Sequence, residues 1–74
     1  MFRVGERISL IGRSILWSNG TVGRAPWLFE KGRTFEVIQV TSPAPGQVRV
    51  VIGNHRLNNG PITHGVTGAI VIQF

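Results

Sequence analysis

The first apolar residues of the chain alternate with polar ones. In "FRVGERISLIG", Phe2, Val4, Ile8 and Leu10 share one parity, and arginine and serine residues occupy the other. A period of two residues is typical of a β-strand that buries one face. The pattern therefore predicts an N-terminal strand whose apolar face points into a core, with a bend beside Gly5, where Glu6 breaks the apolar parity.

Three later stretches also have the composition of strands. "RTFEVIQVT" carries apolar residues on both parities, which suggests a central strand or one kinked by a bulge. "VTGAIVIQF" also carries them on both parities and is expected to be buried, whereas "QVRVVIG" alternates. "SPAPG" lies between the first and third of these and is typical of a turn. We expect residues 33–41 and 47–52 to form an antiparallel hairpin, and the C-terminal strand to pair with the N-terminal one.

Two segments do not follow a strand or helix period. Residues 12–32 contain glycines, Pro26 and the pair Asn19-Gly20, which favours a tight turn. We interpret this segment as a long excursion with a short hairpin, whose apolar residues serve packing or binding. The segment "NHRLNNGPITHG" is interpreted as a loop because Asn, Gly and Pro residues dominate it.

No stretch predicts a helix, and 74 residues suffice for one domain. Five or six short antiparallel strands with a long early excursion predict an all-β fold, a small SH3-like barrel spanning residues 1–74. Closing the sheet would also protect its edges from pairing with other chains.

Composition limits the chemistry of the chain. There is no cysteine, so neither disulfides nor thiolate metal sites can stabilise a core this small. We find no signal peptide, since arginines interrupt the N-terminus, and no apolar stretch long enough to span a membrane. The net charge of +5, mostly from arginine, indicates a polyanionic partner such as nucleic acid, an anionic wall polymer or a membrane surface.

An enzyme is not expected. The carboxylates are Glu6, Glu30 and Glu36, and nothing in their spacing brings two of them to one cleft. No serine lies in a nucleophile-elbow motif, and His55 and His64 lack a third metal ligand nearby. We therefore predict no catalytic residues, no metal and no cofactor.

The order of the motifs resembles a known family. "VGERISLIG", "SNGTVGRAPWLFEKGRTFEVIQV", "GQVRVVIG" and "THGVTGAI" occur in the order seen in bacterial SH3-type (SH3b) cell-wall-binding modules of phage endolysins and autolysins. The segment from Gly20 to Val40 carries most of the likeness. The chain departs from the pattern by one extra residue before Lys31-Gly32, and by Ala69, where an aromatic residue often stands.

The resemblance implies a non-catalytic targeting module acting at the bacterial cell wall. Its partner would be peptidoglycan or teichoic acid, and any hydrolase would lie on another segment or chain. A nucleic-acid-binding SH3-like or KOW-like barrel, which would be cytoplasmic, is one alternative, since arginine is abundant. A small phage structural or assembly protein that forms homo-oligomers through "AIVIQF" is another.

Aromatic residues in the excursion are the first candidates for ligand binding. Trp17 and Trp27 could stack on a sugar or a peptide, and we expect at least one indole to be partly exposed. The run Trp27-Leu28-Phe29 cannot face one direction, so Leu28 or Phe29 is expected to be buried.

Arginines and polar loop residues complete the predicted site. Arg3, Arg7, Arg33 and Arg49 oppose the apolar parity and are expected to face solvent. Guanidinium groups suit phosphate or carboxylate, and Arg24 beside Trp27 could combine anion binding with stacking. The predicted ligand-binding residues are Trp17, Asn19, Arg24, Trp27, Arg33, Arg49, His55 and Arg56.

Overall fold

A computed structural model describes residues 2–16, 25–63 and 65–74. Its strands are β1 (Arg7–Ile8), β2 (Ser14–Leu16), β3 (Arg33–Thr41), β4 (Gln47–Leu57) and β5 (Val66–Gln73). One turn of 3-10 helix, Pro26–Phe29, precedes β3. No helix among the described residues is long and apolar enough to cross a membrane.

The strands form one antiparallel sheet in the order β1-β3-β4-β5-β2. The long strands β3, β4 and β5 make a meander in the centre, and the short strands β1 and β2 pair with its two outer sides. The prediction of an all-β fold with five to six antiparallel strands is confirmed, and the curled sheet is consistent with a small barrel-like fold. The expected hairpin between residues 33–41 and 47–52 is present.

The core lies on one face of the sheet and is formed by alternate residues of the strands. Phe35 and Val37 from β3 face Val50 and Ile52 from β4, and all four are fully buried. Burying apolar side chains is the main term that stabilises a domain of this size. The remaining buried core residues are Phe2, Ile8, Leu10, Leu28, Val48, Ile70 and Ile72.

A β-bulge interrupts the pairing of β3 with β4. Thr34 pairs with Arg56 but Glu36 pairs with Gly53, so Phe35 alone lies opposite two residues of β4. Asn54 within the bulge has a positive φ of 46°. Asparagine tolerates this left-handed conformation better than most residues, which explains its use here. The bulge changes which side chains of β4 face the core beyond Gly53.

The prediction for the N-terminus was partly wrong. Only Arg7–Ile8 form a strand, and Val4 is exposed although Phe2, Ile8 and Leu10 are buried. The expected bend beside Gly5 is confirmed and is the cause, because Gly5 has a φ of 91° and Glu6 N donates to Arg3 O. The expected pairing of the N- and C-terminal strands was also wrong.

The partners of the two edge strands explain why the chain ends do not pair. β1 pairs with β3, while β5 pairs with β4 and with β2 from the predicted excursion. The expected loop after residue 53 is shorter than predicted as well, since β4 continues to Leu57. The hairpin expected around Asn19-Gly20 lies outside the described residues.

Candidate functional site

The 3-10 turn separates three consecutive bulky side chains. Pro26 begins the turn, where its fixed φ suits the helical geometry and its missing N–H is not needed. Leu28 points inward and is buried, whereas Trp27 and Phe29 are 37% and 36% exposed. The expectation that Leu28 or Phe29 is buried is confirmed, and one indole is partly exposed as predicted.

The Trp27 ring is fixed from three sides. Its centroid lies 6.0 Å from that of Phe35 and 5.1 Å from that of His55, both tilted relative to it. The Arg33 guanidinium carbon lies 5.3 Å from the Trp27 centroid, which is cation–π distance. We call Trp27, Arg33, His55 and Glu30 the Trp27 cluster; Phe35 supports it from the core.

Arg33 is held in this cluster by hydrogen bonds. Its Nη1 donates to His55 Nδ1 at 3.0 Å, and its Nη2 donates to Glu30 Oε2 at 3.2 Å in an ion pair. The Arg33 side chain is only 15% exposed, so the prediction that it faces solvent was wrong. The reason is its position in β3: Arg33 is two residues before the buried Phe35 and so lies on the same face, where its guanidinium lies over Trp27.

The bond from Arg33 fixes the state of His55. Arginine can only donate, so Nδ1 of His55 is the acceptor and the proton of the neutral ring is on Nε2. Burial lowers the pKa of His55, and the neighbouring charges of Arg33 and Arg7 lower it further. The neutral imidazole is therefore the form compatible with the folded cluster.

This gives stability a pH dependence. An unfolded histidine has a pKa near 6.5, whereas the folded pKa of His55 is lower. As the pH is lowered below 6.5, His55 becomes protonated in the unfolded chain but stays neutral in the folded one. The free energy of unfolding therefore decreases as the pH is lowered, until the pH reaches the folded pKa of His55. We expect Tm to decrease when the pH is lowered from about 7.5 to about 5.5.

His55→Gln is the control for that experiment, because it keeps an acceptor for Arg33 and does not titrate. Thermal unfolding of both proteins should show a smaller acid-side loss of Tm in the variant. All other residues are common to the two proteins. Equal slopes for the two proteins would show that His55 does not carry the effect.

A second group of polar residues lies at the β3–β4 bulge, on the outer face of the sheet. Arg7 donates from Nε to Thr34 Oγ1 at 3.1 Å, and from Nη2 to the carbonyl oxygens of Thr34 at 3.0 Å and Asn54 at 2.8 Å. The Asn54 carboxamide donates to Glu36 Oε1 at 3.0 Å. Arg7 thus satisfies backbone carbonyls at the bulge and is half-buried, contrary to the solvent-facing prediction.

The predicted site residues fall into three places. Trp27, Arg33 and His55 come together in the Trp27 cluster, and Arg56 lies beside Thr34 on the opposite face of β4. Arg49 pairs with Thr41 near the start of β4, about 20 Å along the strand from His55. The structure does not bring Arg49 to either group. Trp17, Asn19 and Arg24 lie outside the described residues.

Sequence reasoning missed Glu30, Phe35 and Arg7 as parts of these groups. Glu30 is three residues before Arg33, a spacing at which opposite charges can meet across a turn, and this signal was available. The role of Arg7 depends on a bulge between distant strands, and no local pattern indicates that.

A cavity of about 490 Å³ lies at the other end of the hairpin. It is lined by residues 42–48 and Phe74, and none of the predicted site residues lines it. Among residues 2–16, 25–63 and 65–74, no group of three or more potential ligands is arranged to hold a metal ion.

No protein-family model, curated protein or solved structure matches this chain.

Proposed function

We propose that this chain is a non-catalytic module that binds the bacterial cell wall through the Trp27 cluster. The observation that carries the proposal is a partly exposed indole held in place by a guanidinium and an imidazole. A fixed aromatic surface loses little conformational entropy when a ligand stacks on it. The order of motifs that resembles SH3b modules supports the same role.

The chemistry of the cluster suits a glycan or peptide bearing polar groups. The exposed part of the Trp27 ring offers an apolar surface with an N–H donor at its edge. The His55 tautomer adds a second donor, Nε2–H, because Nδ1 is occupied by Arg33. Sugar hydroxyl, acetamido and carboxylate oxygens are the acceptors that peptidoglycan would present to these donors.

The carboxylates support binding rather than hydrolysis. Glu30 is paired with Arg33, and Glu36 accepts a hydrogen bond from Asn54. A glycosidase needs two carboxyl groups that face one cleft, with one of them protonated. These two are engaged in structural contacts on opposite faces of β3, which favours a role without chemistry.

Trp27→Ala tests the proposal against a matched control. Retention on purified Gram-positive walls should weaken by about tenfold or more, as expected for loss of an aromatic anchor. Phe29→Ala removes an equally exposed aromatic side chain from the same 3-10 turn and should change retention by less than about twofold.

Walls stripped of teichoic acid separate the two wall ligands. Retention that survives stripping would indicate peptidoglycan, and retention that disappears would indicate teichoic acid. If the chain binds no wall preparation at moderate salt, or if Phe29→Ala weakens retention as much as Trp27→Ala, the proposal is wrong.

A nucleic-acid-binding module is the second candidate. The observation that favours it is the Arg33 guanidinium over the Trp27 ring, since aromatic and guanidinium planes both stack on bases. Titration of single-stranded nucleic acid at several salt concentrations distinguishes the two roles. Sub-micromolar binding with a steep salt dependence, and no wall retention, would support this candidate instead.

A further inference from the structure

Two arginine residues flank Thr34 from opposite sides on the outer face of the sheet, Arg7 from β1 and Arg56 from β4. Arg7 reaches it from β1 and donates to Thr34 Oγ1 at 3.1 Å. Arg56 is the residue paired with Thr34 across the β3–β4 ladder, so their side chains are on the same face with Cβ atoms about 5 Å apart. The fold thus concentrates positive charge around one hydroxyl group.

Arg7 is fixed before any ligand arrives. Its Nε and Nη2 are bonded to Thr34 and to the Asn54 carbonyl oxygen. Within the part of the chain that the structure describes, these bonds leave Nη1 of Arg7 without a hydrogen-bond partner. A guanidinium held this way loses little side-chain freedom on binding.

Arg56 is incompletely satisfied. Its Nη2 donates to the carbonyl oxygen of Asn59 at 3.3 Å, and its Nε is buried without a hydrogen-bond partner among the described residues. Burying a hydrogen-bond donor without an acceptor costs free energy, and the cost is larger when the donor belongs to a charged group. An oxygen atom supplied by a ligand would remove part of that penalty.

Charge around Thr34 is not balanced within the described residues. Burial lowers the pKa of Arg7, and the nearby charge of Arg56 lowers it further, while Glu36 opposes this by raising it. Among the described residues, Glu36 is the carboxylate whose charge acts on Arg7, and its Oε1 already accepts from Asn54. The single ion pair found in the described residues joins Arg33 to Glu30 instead.

We infer that Arg7, Thr34 and Arg56 form a binding site for a phosphate group, separate from the Trp27 cluster. Phosphate presents oxygens in several directions, which suits guanidinium groups arriving from two different strands. A carboxylate has two coplanar oxygens and suits a single guanidinium fork. The Thr34 hydroxyl accepts from Arg7, so its own proton is free to be donated to a phosphate oxygen.

This site does not depend on the proposed wall-binding role, because Trp27 takes no part in it. The phosphate could be the free ion or a unit of a polyol phosphate chain, since both present the same oxygens. Inorganic phosphate and a purified poly(glycerol phosphate) are therefore used as separate probes.

Arg56→Gln is the main test, with Arg49→Gln as its matched control. Both remove one positive charge from β4, but Arg49 lies seven residues before Arg56, about 23 Å along the strand. Inorganic phosphate is titrated at constant ionic strength while the backbone amide and arginine Nε–H resonances are followed by NMR. Arg56→Gln should weaken phosphate binding by about tenfold or more, and Arg49→Gln by less than about twofold.

Three further measurements complete the test. Trp27→Ala should leave the phosphate affinity within about twofold, as expected for a separate site. If poly(glycerol phosphate) binds more tightly than the free ion and the Arg56→Gln variant does not bind it, the ligand is a polymer. If only the free ion binds, the ligand is a small anion. Equal losses for Arg56→Gln and Arg49→Gln, equal shifts with chloride, or no saturable shift at all would overturn the inference. Amide spectra of the two variants show directly whether each remains folded.

Discussion

Gly53→Ala is expected to destabilise the fold by about 3 kcal/mol. A Cβ at this position would collide with the carbonyl oxygen of Gly65, lie 2.6 Å from Ile38 Cδ1 and lie 3.1 Å from Val66 Cα. Two of these neighbours, in Gly65 and Val66, are backbone atoms at the start of the neighbouring strand, and they cannot move without breaking the β4–β5 pairing. Glycine is therefore required here because two backbone segments of the sheet approach closely, and not because of the φ of residue 53.

Urea unfolding followed by tryptophan fluorescence measures this effect. A chain of 74 residues has a free energy of unfolding of about 4–11 kcal/mol, so the loss is a large fraction of the total. Gly46→Ala is the control: its Cβ meets open space, but its φ of 74° disfavours alanine by about 1 kcal/mol. If Gly53→Ala is no worse than Gly46→Ala, the β4 and β5 backbones are not as close as described.

Phe35→Ala is expected to lower the free energy of unfolding by about 4 kcal/mol. Phe35 is the largest fully buried side chain of the core, and its removal leaves a cavity that the sheet cannot close. Phe74→Ala removes the same atoms from a side chain that is 74% exposed, so it should change stability by less than about 0.5 kcal/mol. Denaturant midpoints of the two variants give the comparison.

The same substitution also tests how the site is supported. The Phe35 ring centroid lies 6.0 Å from that of Trp27 and 5.9 Å from that of His55, so the core residue holds both rings of the Trp27 cluster. Phe35→Leu, which retains most of the buried volume, should stay folded and yet show altered Trp27 fluorescence. An unchanged emission spectrum in folded Phe35→Leu would show that the cluster is positioned without Phe35.

The three long strands could be predicted from the sequence for a clear physical reason. β3, β4 and β5 are 9, 11 and 8 residues long and rich in valine and isoleucine, which favour strands, and "SPAPG" marks the turn between the first two. β1 and β2 have two and three residues, too few for any period to show. Their partners are set by tertiary packing, which explains why the expected pairing of the chain ends was wrong.

The candidate site was predictable only in part, because of the bulge at Asn54. Strict alternation from Val50 and Ile52 would place Arg56 on the core side of β4 and His55 outside. The extra residue reverses this, so His55 meets Phe35 while Arg56 faces out beside Thr34. Residue types therefore indicated the chemistry of the site, but one inserted residue decided which of them came together.

Both edge strands come from the N-terminal part of the chain, residues 2–16, and this has a consequence for self-association. β1 covers the free side of β3 and β2 covers the free side of β5, on opposite margins of the meander. Detachment of this one arm would uncover unpaired N–H and C=O groups on two long strands simultaneously. A molecule opened in this way could exchange arms with a neighbour, each arm completing the sheet of the other chain.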